Sequence, residues 1–134
     1  MDPPEAAVGV LRNVVRLCEP GGVVLDLTCL PVPDRMEVDG RLLGYLDQAT
    51  FLEGVRVTEQ AVDLLVEHGL LADEARLEHD VLVHFSSGRE AVEHFASSTK
   101  SEAPPDLRAR LDQINGPVVQ RGDSVVRRLR VLPG

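Results

Sequence analysis

Four histidines, two cysteines and scattered acids are the groups in this sequence that could do chemistry. His68, His79, His84 and His94 show no pair at the four-residue helical spacing that holds a metal. A strand through His79 and His84 sends those two to opposite faces, so no metal site is expected. His68 reads as a helix-end residue favoured by the helix dipole. Cys18 and Cys29 are flanked by apolar residues and read as small buried hydrophobes, not as a disulfide. Glu78 and Asp80 share a strand face with His84, a grouping that acid–base catalysis could use. Charges on the solvated face of an edge strand also block unwanted pairing, and that is the stronger reading. Ser86-Ser87 belongs to a helix start, outside the strand–turn–helix context of an activated serine. Arg121, Arg127, Arg128 and Arg130 form a local basic stretch, but strand alternation splits Arg127 from its neighbours, and ion pairing with the many acids is expected. Asp26 and Thr28 interrupt an apolar run. A carboxylate there must be paired, hydrogen-bonded or close to the end of a sheet, where ligands bind in open α/β folds.

The elements that would position these residues can be read in order. Asp2-Pro3-Pro4-Glu5 is a helix start, with Asp2 as cap and Pro3 at the first helical position. Val10, Leu11, Val14, Val15 and Cys18 then predict an amphipathic helix over about residues 4–18. Pro20-Gly21-Gly22 stops it, and Val23 to Leu30 reads as a strand apolar on both faces, of the kind covered on both sides in parallel sheets. Pro31 and Pro33 end that strand. Residues 34–57 are the least regular: Asp39-Gly40 and Glu53-Gly54 read as turns, with a short strand or helix between them and an extended piece at Val55–Val57. Thr58 is expected to cap a helix that ends at His68-Gly69. Glu74 to Phe85 alternates as a half-buried strand, with Leu77, His79, Val81, Val83 and Phe85 on one face. Ser87-Gly88-Arg89-Glu90 is a capping box before a short helix. Pro104-Pro105-Asp106 starts another, with Leu107, Leu111 and Ile114 as its stripe. Val118-Val119, a turn at Arg121-Gly122-Asp123 and a strand Val125 to Leu132 follow.

A chain of 134 residues fits one compact domain, residues 1–134. The composition, 43% apolar and 27% charged, is that of a globular protein. Three Phe, one Tyr and no Trp leave few stacking platforms, and a net charge of −8 opposes phosphate neutralisation, so nucleic acid is not an expected partner. There is no signal-like segment and no run of 18 or more apolar residues, so no membrane partner and a cytoplasmic location are expected.

The helix, Pro20-Gly21-Gly22 and strand Val23–Leu30 resemble the region around the fifth strand of class I S-adenosylmethionine-dependent methyltransferases. His68-Gly69-Leu70-Leu71 and the Leu77–Phe85 strand resemble that family's next helix and sixth strand, and Val125–Val131 its seventh, which inserts antiparallel between the fifth and sixth. The resemblance spans nearly all of this chain but only about the C-terminal half of the family's fold. It implies an α/β, three-layer, partial Rossmann-like half-domain: a small mixed sheet, its central C-terminal strand antiparallel, with flanking helices. It also implies that the loop Cys29 to Met36 borders a substrate pocket, which makes Asp26, Thr28, Cys29, Asp34 and Tyr45 the candidate pocket residues.

The departures from that family are equally informative. No Gly-x-Gly-x-Gly follows a strand, and Gly21-Gly22 precedes one. The strand whose end would carry the ribose-binding acid is missing. No cofactor-binding residue is therefore expected in the isolated chain, and S-adenosylmethionine would bind only if a partner completes the fold. In the family the fifth strand is internal; here Val23-Val24-Leu25-Asp26-Leu27 carries no Lys or Pro to protect an edge. The expected function is a non-catalytic methyltransferase-like module that forms a homodimer or serves as an accessory subunit, a partner covering strand 23–30. The alternative is a methyltransferase for a small molecule, its cofactor site completed by another chain.

Overall fold

The computed structural model describes residues 3–133, so the Asp2 cap lies outside the described residues. Four helices and five strands follow in the order α1 (Pro3–Leu17), β1 (Val23–Cys29), β2 (Arg35–Val38), β3 (Arg41–Tyr45), α2 (Ala49–Glu67), β4 (Leu71–Phe85), α3 (Gly88–Ala96), α4 (Pro105–Asp112) and β5 (Val118–Val131). The strands form one open antiparallel sheet in which β5 pairs with β1, β2 and β4, and β2 pairs with β3. The fold is α/β, and its C-terminal strand β5 runs antiparallel to β1 as expected, but the sheet is antiparallel where a mixed one was expected. β1 and β2 both pair antiparallel with the returning strand β5, and β3 pairs antiparallel with β2.

The chain divides into two compact units, each discontinuous in sequence. The first comprises Met1–Leu30, Glu53–Glu78 and Ser124–Gly134; the second comprises Pro31–Leu52 and His79–Asp123.

In the first unit, α1 and α2 pack on one face of β1, β5 and the start of β4. Val62 and Leu65 of α2 meet Leu71, Leu129 and Val131, with Val8, Leu11, Val15 and Val24 around them. Burying side chains such as Leu65 and Leu129 stabilises the fold by about 2 kcal/mol each. The other face of β1 is open: Val23, Leu25 and Leu27 are 39, 68 and 71% exposed. This overturns the expectation of a strand covered on both sides, and with it the three-layer arrangement around β1. The apolar run reflects an uncovered face, not a second layer of helices.

Helix α2 begins at Ala49, nine residues before the expected Thr58 cap. The Asp47 carboxylate accepts from the Ala49 N–H at 3.1 Å, and Leu52 and Val55 continue the buried stripe toward Val62. Thr58 instead lies mid-helix, its hydroxyl donating back to the Gly54 carbonyl at 3.1 Å. Glu53-Gly54 and Val55–Val57 are thus helical. Gly69, at φ +77°, follows the end of α2 as expected.

In the second unit, β2 and β3 form a hairpin closed by Asp39 and Gly40, both at positive φ, the requirement of a two-residue primed turn. Its core joins Met36, Leu46, Phe85, Phe95, Leu107, Leu111 and Val118. Ser87 caps α3 by accepting from the Glu90 N–H, while Glu90 accepts from the Ser86 N–H at 2.7 Å and from the Ser86 hydroxyl. Those Ser86 bonds, the hydroxyl first, hold the Glu90 carboxyl below its ordinary range. The turn expected at Arg121-Gly122-Asp123 is not formed, and β5 runs straight through. Arg121 bonds Glu37 and Asp80, Asp123 bonds Arg35, and Gly122 lies against Asp34, where an added Cβ would come within 2.6 Å of its carboxylate. Strand β4 is also unlike its expected form: Leu71 and Phe85 are buried, but Leu77, Val81 and Val83 between them are exposed.

Candidate functional site

The outward edge of β1 is the candidate site. Pro20 and Gly21-Gly22 lead into it through a bulge in which Gly21, at φ +83°, donates to the Val131 carbonyl and the Val131 N–H donates to the Gly22 carbonyl, each at 2.8 Å. Arg130 fixes this turn by donating to the Gly21 carbonyl at 2.7 Å. From Gly22 onward the antiparallel alternation is set: Val24, Asp26 and Thr28 turn their N–H and C=O groups toward β5, opposite Leu129, Arg127 and Val125. Val23, Leu25 and Leu27 turn theirs away. Among the described residues no strand pairs with that side of β1. The same three residues carry the exposed apolar side chains, so the edge offers free backbone groups and uncovered apolar surface together.

On the helix-covered face, Asp26 stands opposite Arg127 and borders a cavity of about 180 Å³ whose walls include Leu11, Val15, Val62 and Leu129. Arg127 is 4% exposed and bonds Asp73 at 2.8 Å and Asp63 at 3.2 Å, while its Nε has no partner. Burial works against the charge, but the Asp73 and Asp63 carboxylates outweigh it and hold the guanidinium above its ordinary range. On the open face, Arg128 and Arg130 both reach Glu74 at 3.1 Å, keeping that carboxyl below its usual range. The basic stretch is therefore absorbed in ion pairs.

The candidate pocket residues fall into the two units. Asp26, Thr28 and Cys29 lie on β1, Thr28 and Cys29 opposite Val125 and Ser124. Asp34 and Tyr45 belong to the second unit. Asp34 accepts from Gln120 at 2.8 Å, and its N–H donates to the Gln48 side chain at 2.7 Å; both bonds hold the loop before β2. Tyr45 is exposed and pairs with Arg35 across the hairpin. Cys18 and Cys29 are free thiols, both half-buried. Glu78 and Asp80 are engaged by Arg76 and Arg121 at 3.4 and 2.6 Å. His94 packs on Phe85 and Phe95, with ring centroids 5.4 Å away in each case.

A polar cavity of about 490 Å³ in the second unit escaped sequence reasoning. Lys100 and Arg108 line it together with Asp47 and Glu102, and its floor holds buried Gln48, which donates to buried Ser101 at 2.8 Å. Its residues come from the entry and first turn of α2, the end of α3, the segment after it and α4, which no single local motif would unite. Among the described residues no group of three or more His, Cys, Asp or Glu could hold a metal, and no helix is long and apolar enough to cross a membrane. β3 leads into α2 through Leu46-Asp47-Gln48, and β4 leads into α3 through Ser86-Ser87. Comparison with protein-family models, curated proteins and solved structures returned no match.

Proposed function

We propose that this chain is a non-catalytic, methyltransferase-like interaction module that works by pairing β1 with another chain, as a homodimer or as an accessory subunit. The free edge carries this reading. A strand with three outward apolar residues and no Lys or Pro is a template for a further strand, and folded proteins cover or blunt such edges. Sedimentation velocity at micromolar concentration tests the homodimeric form: the purified chain is expected to run as a dimer. A monomer that also fails to protect the Val23, Leu25 and Leu27 amides from hydrogen exchange in the presence of its binding partner overturns the reading.

A second reading, a Rossmann-like S-adenosylmethionine-dependent methyltransferase for a small molecule with its cofactor site completed by another chain, draws support from one feature. β5 pairs antiparallel with β1 and also with β4, the arrangement the family resemblance implies for its last three strands. Calorimetry separates the two, since tight binding of S-adenosylmethionine by this chain alone would favour the enzyme.

A further inference from the structure

We infer that the polar cavity of the second unit binds a free α-amino acid, its carboxylate on Lys100 and the Gln48–Ser101 floor, its ammonium on Asp47 and Glu102. Occupancy of the β1 edge plays no part in this. A hydrogen-bond relay, its direction fixed from one end, builds the floor. The Asp34 N–H can only donate, so the oxygen of the Gln48 amide faces it at 2.7 Å. The amide nitrogen is thereby turned to Ser101, whose hydroxyl oxygen accepts from it at 2.8 Å. Among the described residues, neither the second N–H of that amide nor the Ser101 hydroxyl proton finds an acceptor. The two side chains are only 6 and 8% exposed, and both line the cavity. The floor therefore holds two unused donors that bulk water barely reaches, and what completes it is an acceptor inside the cavity.

The walls select which acceptor. Lys100 lies 5.4 Å over the Phe51 ring in the first turn of α2, and Arg108 comes from α4. Among the described residues neither cation enters an ion pair. The Thr50 N–H adds a donor, since bonding within α2 begins with Leu52 donating to the Gln48 carbonyl. Donors and cations together select a carboxylate. Negative charge lines the same cavity. Asp47 and Glu102 exchange both backbone bonds, at 2.9 and 2.8 Å, so their side chains stand on one side of that bridge. Asp47 accepts from the Ala49 N–H, while the Glu102 carboxylate has no partner among the described residues. Two like charges side by side favour a cation between them. The four wall charges cancel, so a plain anion meets the carboxylates and a plain amine meets the cations. A zwitterion satisfies both, and a cavity of about 490 Å³ admits an amino acid with a polar side chain.

Amide chemical shifts of the full chain read the site directly. L-Glutamine is titrated beside glutaramate, which lacks the ammonium, and 4-aminobutanamide, which lacks the carboxylate; L-serine is titrated as a second amino acid. Both amino acids are expected to shift the Thr50, Lys100 and Ser101 amides saturably, and each single-charge analogue should bind about tenfold more weakly than L-glutamine. Lys100→Met and Glu102→Gln, both at exposed positions, should each weaken L-glutamine binding by about tenfold. No saturable shift from either amino acid at millimolar concentration overturns the site. Glutaramate binding as tightly as L-glutamine overturns the zwitterion in favour of a plain anion. Binding that both variants leave unchanged overturns its placement in this cavity.

Discussion

Arg127 and Asp73 meet at 2.8 Å from neighbouring strands, the guanidinium almost fully buried and the carboxylate partly open to water. The two partners are therefore unequal. Losing Asp73 strands a buried cation with an orphaned Nε, whereas losing Arg127 leaves acids that water can solvate. Arg127→Met is expected to change stability by no more than about 1 kcal/mol, and Asp73→Ala to cost about 2 kcal/mol. Urea unfolding of both variants measures this, and a larger loss for Arg127→Met than for Asp73→Ala contradicts the asymmetry.

Glu74 contributes to the acid limb of the stability profile. Its carboxyl lies below the ordinary value of 4.5 because Arg130 bonds it, with Arg128 adding to the effect. A depressed folded-state value means the contribution is present above the unfolded value and is lost as pH falls through the folded one. Glu74→Gln should flatten the loss of stability below about pH 4.5 and leave the profile unchanged in shape near neutrality. An unaltered acid limb in thermal melts between those conditions would count against the ion-pair account.

Gly88 is a contact point between helices. An added Cβ there would lie 1.8 Å from the Leu111 carbonyl oxygen, and the Gly88 N–H donates to the Ile114 carbonyl at 2.9 Å. Backbone cannot swing aside as a side chain can, so Gly88→Ala is expected to cost about 3 kcal/mol. Gly54→Ala, at an open position of α2, should instead stabilise by about 0.5–1 kcal/mol. Paired denaturant curves would show opposite signs.

Gln48 joins three segments of the second unit from a buried position. Its carbonyl oxygen accepts from the Asp34 N–H and its amide donates to Ser101. Gln48→Ala leaves both partners unsatisfied and should cost about 2 kcal/mol. Gln48→Glu keeps the acceptor but buries a charge; if it proves no more harmful at neutral pH than at acid pH, this hydrogen-bond account is wrong.

Local chemistry was legible where a residue pair determines its own geometry. Asp39-Gly40, His68-Gly69 and Ser87 through Glu90 could each be read without knowing the fold. Longer-range contacts decided the rest. Glu53-Gly54 has turn composition, yet Leu52 and Val55 bury into α2 and make it helix. Arg121-Gly122-Asp123 also has turn composition, yet its charges find Glu37, Asp80 and Arg35, distant in sequence, and the strand continues. Asp26 stood out as an unusual residue in an apolar strand, but its neighbour Arg127 became visible only with the register of β1 on β5. The free edge was legible as an apolar run, whereas which backbone groups face outward followed only from the bulge at Gly21.

Strand β5 contributes Val118 to one core and Leu129 and Val131 to the other. It follows all the other described elements in the chain. Neither unit can complete its interior until that strand has been synthesised, so both cores stay unsealed while the earlier elements wait for it.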